Sequence, residues 1–141
     1  MKNQKPVIGI IGGTGRFGNW FKGFFEDKGF NVLISGRKTE LTAKELTEKS
    51  DIIIVSVPIS ETKKIIKEIR DFVRPDALLC DFTSVKEMSM KEMMKSKSRC
   101  GVLGIHPLFG PLVPSLKSQI VVFCQGRENR WVRFLQKIFE E

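Results

Sequence analysis

The sequence predicts an α/β fold: a mainly parallel, doubly wound sheet with helices on both faces. Three observations predict it. Short runs rich in valine and isoleucine alternate with segments whose apolar residues recur every three or four positions. The runs lack the polar alternation of a half-exposed strand, as expected of strands covered on both sides. A glycine cluster separates the first run from the first helical segment, which is the strand–turn–helix context of an anion-binding loop.

Each element follows from its local pattern. Val7-Ile8-Gly9-Ile10-Ile11 is a buried strand. From Arg16 to Lys28, residues Phe17, Trp20, Phe21, Phe24 and Phe25 form one helical stripe, and Gly29 follows at the carboxyl-terminal cap. Asn31 to Ser35 is the second strand, and Leu41 to Lys49 is a short polar helix. Asp51 to Val57 is a β-branched strand ended by Pro58. Ser60 is the expected N-cap of a helix that buries Ile65, Ile66, Ile69, Phe72 and Val73. Arg74-Pro75-Asp76 turns the chain into a strand from Ala77 to Asp81. Lys86 to Lys95 is a helix whose Met88, Met90, Met93 and Met94 are read as core. Cys100 to Ile105 is a strand, and His106 to Lys117, with three prolines, is a loop. Gln119 to Cys124 is the last strand, and Glu128 to Glu141 is a helix with Trp131, Phe134, Leu135, Ile138 and Phe139 inward.

At 141 residues the chain is the size of one domain. With 41% hydrophobic and 28% charged residues, its composition is that of a globular protein and excludes disorder. The formal charge is +8, but the basic residues are spread along the chain and do not interleave with aromatic ones, so nucleic acid is not an expected partner. No apolar run approaches the ~20 residues of a membrane span. The lead Met1 to Pro6 enters an apolar run too short for a signal peptide, so a cytoplasmic location is expected. Cys80, Cys100 and Cys124 are far apart in apolar runs and are expected to be reduced, buried thiols. Without a CxxC or Cys/His cluster, no metal site is expected.

Gly13-Thr14-Gly15-Arg16-Phe17-Gly18 fits G-x-G-x-x-G between the first strand and the first helix. In this reading Gly13 permits the tight turn, Gly15 lets the backbone approach a pyrophosphate, and Gly18 allows close helix packing. The helix start then holds the anion. A glycine-rich turn with no ligand is the plainer alternative. The motif and its context make this a Rossmann sheet and residues 1–141 a dinucleotide-binding domain. Sites for NAD carry an acidic residue about 20 positions on, which bonds the ribose 2′-hydroxyl. Here that stretch reads Ser35-Gly36-Arg37-Lys38. Arg37 and Lys38 suit a 2′-phosphate, with Ser35 donating a hydrogen bond, so NADP is expected over NAD. Two solvated loop cations are the alternative.

The lone histidine lies in Gly104-Ile105-His106-Pro107-Leu108-Phe109-Gly110-Pro111, at the carboxyl end of a strand. Asp81-Phe82-Thr83-Ser84-Val85-Lys86 ends another strand. Ligands bind at that edge of an open α/β sheet, so Ser84 and His106 are candidates to meet beside the cofactor. A structural imidazole is the alternative for His106.

Together with Ser56-Val57-Pro58-Ile59, these segments resemble the prephenate dehydrogenase family of tyrosine biosynthesis, from Val7 to about Phe139. The glycine loop and the Ser56 segment occur widely among 6-phosphogluconate-dehydrogenase-like domains; the other two segments are more specific. The resemblance adds Val57 and Pro58 to the cofactor-binding residues. It implies that His106 takes the proton of the ring hydroxyl of prephenate while hydride leaves the same carbon, that Ser84 holds hydroxyl and imidazole, and that loss of carbon dioxide gives 4-hydroxyphenylpyruvate. It also implies a helical second domain, absent from this chain, that makes the homodimer and binds substrate carboxylates. Arogenate is an alternative substrate. A 3-hydroxyacid dehydrogenase, an F420-dependent NADP reductase and a nucleotide-sensing domain without catalysis are alternative functions.

Overall fold

The computed structural model describes residues 5–141; the lead Met1 to Gln4 lies outside them. The strands are β1 (Val7–Ile11), β2 (Asn31–Ser35), β3 (Ile52–Val55), β4 (Leu78–Asp81), β5 (Gly101–Pro107) and β6 (Val121–Gln125). The helices are α1 (Arg16–Asp27), α2 (Ala43–Lys49), α3 (Ile59–Ile69), α4 (Lys86–Met93) and α5 (Arg130–Glu140). One sheet has the order β2-β1-β3-β4-β5-β6. All neighbours are parallel except β5 and β6.

Period-two alternation divides the strand residues between two cores. Ile8, Ile10, Ile52, Ile54, Leu78, Cys80, Leu103 and Ile105 face α1 and α5, where Phe21, Phe25, Val132, Leu135 and Ile138 are buried. Ile11, Ile53, Val55, Leu79 and Val102 face the other side, with Leu46 of α2, Ile66 and Ile69 of α3 and Met93 of α4. Burial on both faces explains why these strands read as continuous apolar runs. Gly9 makes room for α2: a Cβ there would lie 2.5 Å from Leu46 Cδ2.

Several local expectations are corrected. α3 starts one residue before Ser60, with Pro58 as its cap and no side-chain bond, so Ser60 sits in the first turn. The α-helix ends at Ile69 and tightens into a 3₁₀ turn over Arg70–Phe72, which turns Phe72 out to 41% exposure. Met93 is buried and Met90 packs beside it, but Met94 is exposed just past the end of α4. Cys80 and Cys100 are buried thiols, whereas Cys124 on the edge strand is only half-buried. The strand β5 runs through His106 and Pro107, because β6 pairs antiparallel alongside and extends the ladder; β6 itself starts two residues later than expected. The polar α2 owes its start to a capping box unread in the sequence: Thr42 accepts from the Glu45 N–H, and Glu45 accepts from the Thr42 N–H.

Among the described residues, no helix is long and apolar enough to cross a membrane. The aromatic stripe of α1 packs as a cluster of rings in the core. Phe21 lies 4.4 Å from Phe82 and within 6.2 Å of Phe17, Trp20, Phe24, Phe25, Phe109 and Phe139, centroid to centroid. Phe21→Ala is expected to cost about 3–5 kcal/mol of stability by leaving a cavity. Leu112→Ala, at a position 90% exposed, is expected to stay within about 0.5 kcal/mol of the parent. Urea denaturation of the two variants checks the contrast.

Candidate functional site

The strand order reverses at β1, which lies between β2 and β3 while the chain continues outward from β3. Connections leave this point toward opposite faces, and a crevice opens at the carboxyl ends of the strands. A cleft of about 620 Å³ lies there, bounded by the turn after β1, the end of β2 and the start of α3.

The turn is built on backbone. Gly12 has φ +92°, and a Cβ on it would lie 2.1 Å from the Ser56 carbonyl oxygen. Gly12, not Gly13, therefore carries the conformation that only glycine takes readily. Gly13 instead packs on β2, where a Cβ would meet Ile34 Cγ2 at 2.5 Å. The Gly12 N–H donates to Ser35 O at 2.8 Å, and Gly12 O accepts from the Gly15 N–H at 3.0 Å. Gly18 brings α1 onto the turn so closely that a Cβ would sit 2.3 Å from Gly12 O. At Gly15 the nearest atom to a Cβ is Gly12 O at 3.4 Å, so a side chain would project into the open space of the cleft. The helix α1 has no side-chain cap and no acid in its first turn. Its leading N–H groups and the positive end of its dipole are thus presented to an anion. By contrast α2 and α5 are capped by Thr42 and Asn129.

The cleft lining includes Thr14, Gly15, Ser35, Arg37, Lys38, Val57 and Pro58. Gly13 and Gly18 are buried in the turn, and Arg16 is exposed at the start of α1; none of them lines the cleft. Phe17 points away into the core, 5.8 Å from Phe82 and 5.7 Å from Phe109. The residues after β2 are ordered by Thr39, whose hydroxyl accepts from the Gly36 N–H and donates to Leu41 O, both at 2.9 Å. That closed loop holds Arg37 and Lys38 in the lining, and among the described residues neither forms an ion pair. Glu61 and Ile65 of α3 and Ala43 of α2 are also in the cleft lining. Reading the glycine motif alone missed Gly12 and Glu61. A glycine directly after the last strand residue was the available signal for the first.

Farther along the same sheet edge, Asp81 of β4 pairs in register with Gly104 of β5. Ser84 and His106 lie three and two residues beyond that pair, on adjacent strand ends. Ser84 is exposed and His106 half-buried, and no hydrogen bond joins them among the described residues. Asp81 is fully buried; Lys86, whose Nζ lies 2.6 Å from Oδ1, neutralises it, and its Oδ2 accepts from the Thr83 N–H. Burial pushes the Lys86 ammonium below the usual lysine range, and the Asp81 carboxylate partly restores it. The buried pair pins the turn that carries Ser84. The Thr83 hydroxyl shares a buried hydrogen bond with Thr62 of α3 at 3.2 Å.

Residues 27–141 match the family model described as prephenate dehydrogenase, nucleotide-binding domain. The chain is 38% identical to a probable arogenate/prephenate dehydrogenase of Methanocaldococcus jannaschii, over 99% of this chain and 34% of the relative. It is 35% identical to the T-protein of Haemophilus influenzae, over 93% of this chain and 35% of the relative. The chain thus spans about a third of the length of the curated relatives it matches. The crystal structure of Synechocystis arogenate dehydrogenase superposes with a TM-score of 0.75 at 17% identity, over 95% of this chain and 56% of that one, a likeness of fold.

The turn makes a prediction about folding alone. Gly12→Ala forces a strained backbone into contact with Ser56 and is expected to cost upwards of about 1–3 kcal/mol. Gly15→Ala adds a methyl group in open space and is expected to melt within a few degrees of the parent (about 1 kcal/mol at most). Thermal melts of both variants read the difference.

Proposed function

From the premise that the chain belongs to the prephenate dehydrogenase nucleotide-binding family, we propose that it is the NADP-binding domain of a dehydrogenase that oxidatively decarboxylates prephenate to 4-hydroxyphenylpyruvate. The observation that carries the cofactor reading is the pairing of two features in one cleft. An uncapped helix start faces the cleft from one end, and Arg37 and Lys38 line it where a carboxylate would otherwise meet the ribose. The residues present fit such a dinucleotide. Gly15 leaves space for the pyrophosphate, the α1 N–H groups donate to it, and the two cations complement a 2′-phosphate. Ser35 and Thr14 add hydroxyls to the same lining, and Val57 and Pro58 give it an apolar wall.

When bound, the nicotinamide supplies the hydride acceptor. The chain's part is to place the substrate and manage one proton. An imidazole nitrogen of His106 accepts the proton of the ring hydroxyl as the adjacent carbon is oxidised. Ser84 hydrogen-bonds the hydroxyl and orients it toward the imidazole. Imidazole is the side chain that exchanges a proton readily near neutral pH. The Asp81–Lys86 pair holds the Ser84 turn in place beside it. Arogenate, which carries an amino group in place of the prephenate keto oxygen, presents the same ring to these residues and is the second reading.

Two experiments test the proposal. Calorimetric titration is expected to give tighter binding of NADP than NAD, and Arg37→Ala is expected to weaken NADP about 10-fold while leaving NAD nearly unchanged. Equal affinities for the two dinucleotides in the parent chain refute the NADP assignment. In the complete enzyme, His106→Asn is expected to lower kcat by about 10²–10⁴-fold with NADP affinity retained. A variant that keeps its full rate but melts earlier makes His106 a structural residue only.

A further inference from the structure

We infer that Glu61 reads the base of the dinucleotide, its carboxylate accepting a hydrogen bond from the 6-amino group of adenine. The inference rests on the dinucleotide reading above. With the pyrophosphate at the start of α1 and the 2′-phosphate at Arg37 and Lys38, the adenosine ribose lies at the end of β2. The base then falls against the part of the lining that α2 and α3 with its cap supply, which is Ala43, Pro58, Ile65 and Glu61.

Three of those residues are apolar. They take the faces of a purine ring but cannot tell one purine edge from another, which requires a hydrogen-bonding group. Arg37 and Lys38 are donors only and cannot accept from an amine. Glu61 is the one carboxylate in the cleft lining. It occupies the third position of α3, where a glutamate ordinarily bonds back to the N–H of the cap residue. In α2 Glu45 does this, accepting from the Thr42 N–H at 3.0 Å. In α3 the cap is Pro58, which has no N–H. The Glu61 carboxylate is thereby released from its usual local partner, and among the described residues it makes no ion pair. It stands at the cleft as an exposed acceptor on the far side of β1 from the two cations.

The contact is read by titrating the chain with NADP and with its unsubstituted purine analogue, in which a hydrogen replaces the 6-amino group. The parent is expected to prefer NADP by about 10-fold, because the analogue offers the carboxylate no N–H on that edge. Glu61→Gln offers a donor as well as an acceptor, and Glu61→Ala offers neither. Glu61→Ala is expected to bring the ratio of dissociation constants to within about 2-fold of one, with Glu61→Gln between it and the parent. Loss of a negative charge strengthens both anionic dinucleotides alike and cancels in that ratio. A parent ratio of one, or a ratio unchanged in both variants, overturns the role of Glu61 and leaves the dinucleotide reading standing. Failure of the parent chain to bind either dinucleotide overturns that reading, and the inference with it.

Discussion

The backbone of one residue, Gly12, ties together the elements that make the cleft. Its N–H bonds to the last residue of β2, and its carbonyl closes the turn to Gly15. Its Cα lies where any side chain would strike Ser56, just after β3. Gly18 of α1 packs directly onto its carbonyl. Three strand ends and one helix start are thus fixed against a single residue that has a positive φ. Interior packing at this density leaves no room for a Cβ, so the turn is specified by sterics before any ligand is considered.

The aromatic side of the sheet extends that constraint to the far end of the site. Phe109, which follows β5 and lies three residues beyond His106, packs 5.7 Å from Phe17 and 5.4 Å from Trp20 of α1. The Trp20 indole donates to Val113 O at 2.8 Å, fastening the long β5–β6 connection to the same helix. The helix that presents its amino end to the cleft therefore also anchors the segment that follows the histidine.

Charge is handled differently at the two ends. Near β4 the fully buried carboxylate of Asp81 is satisfied internally by Lys86 and a backbone N–H. That pair is spent on structure, while Ser84 nearby is exposed and His106 half-buried. At the cleft Arg37 and Lys38 lie on the loop closed by Thr39 and Glu61 lies at the start of α3; all three are exposed and, among the described residues, form no ion pair. Solvated charges of this kind carry none of the desolvation cost of a buried ion pair.

The order of strands and helices, the doubly wound class and the anion-binding context of the glycine loop were all legible in the sequence. Each is set by local periodicity or by a residue type with few conformational options. Arg37 and Lys38 were legible for the same reason, since a fixed spacing from the loop places them at the end of β2. The antiparallel β6 was not, because its direction depends on where a proline-rich connection returns the chain. That pairing also drew His106 into a strand. Nor did the sequence decide which of two adjacent glycines takes the positive φ; the approach of Ser56 from another strand decides it. Phe17 sits within the glycine motif, yet the packing of Phe82 and Phe109 turns it into the core. The commitment of Lys86 to Asp81 likewise arises from which atoms the folded chain brings within reach. Periodicity encodes which face a residue occupies, but contacts between distant segments exist only once the sheet order is fixed.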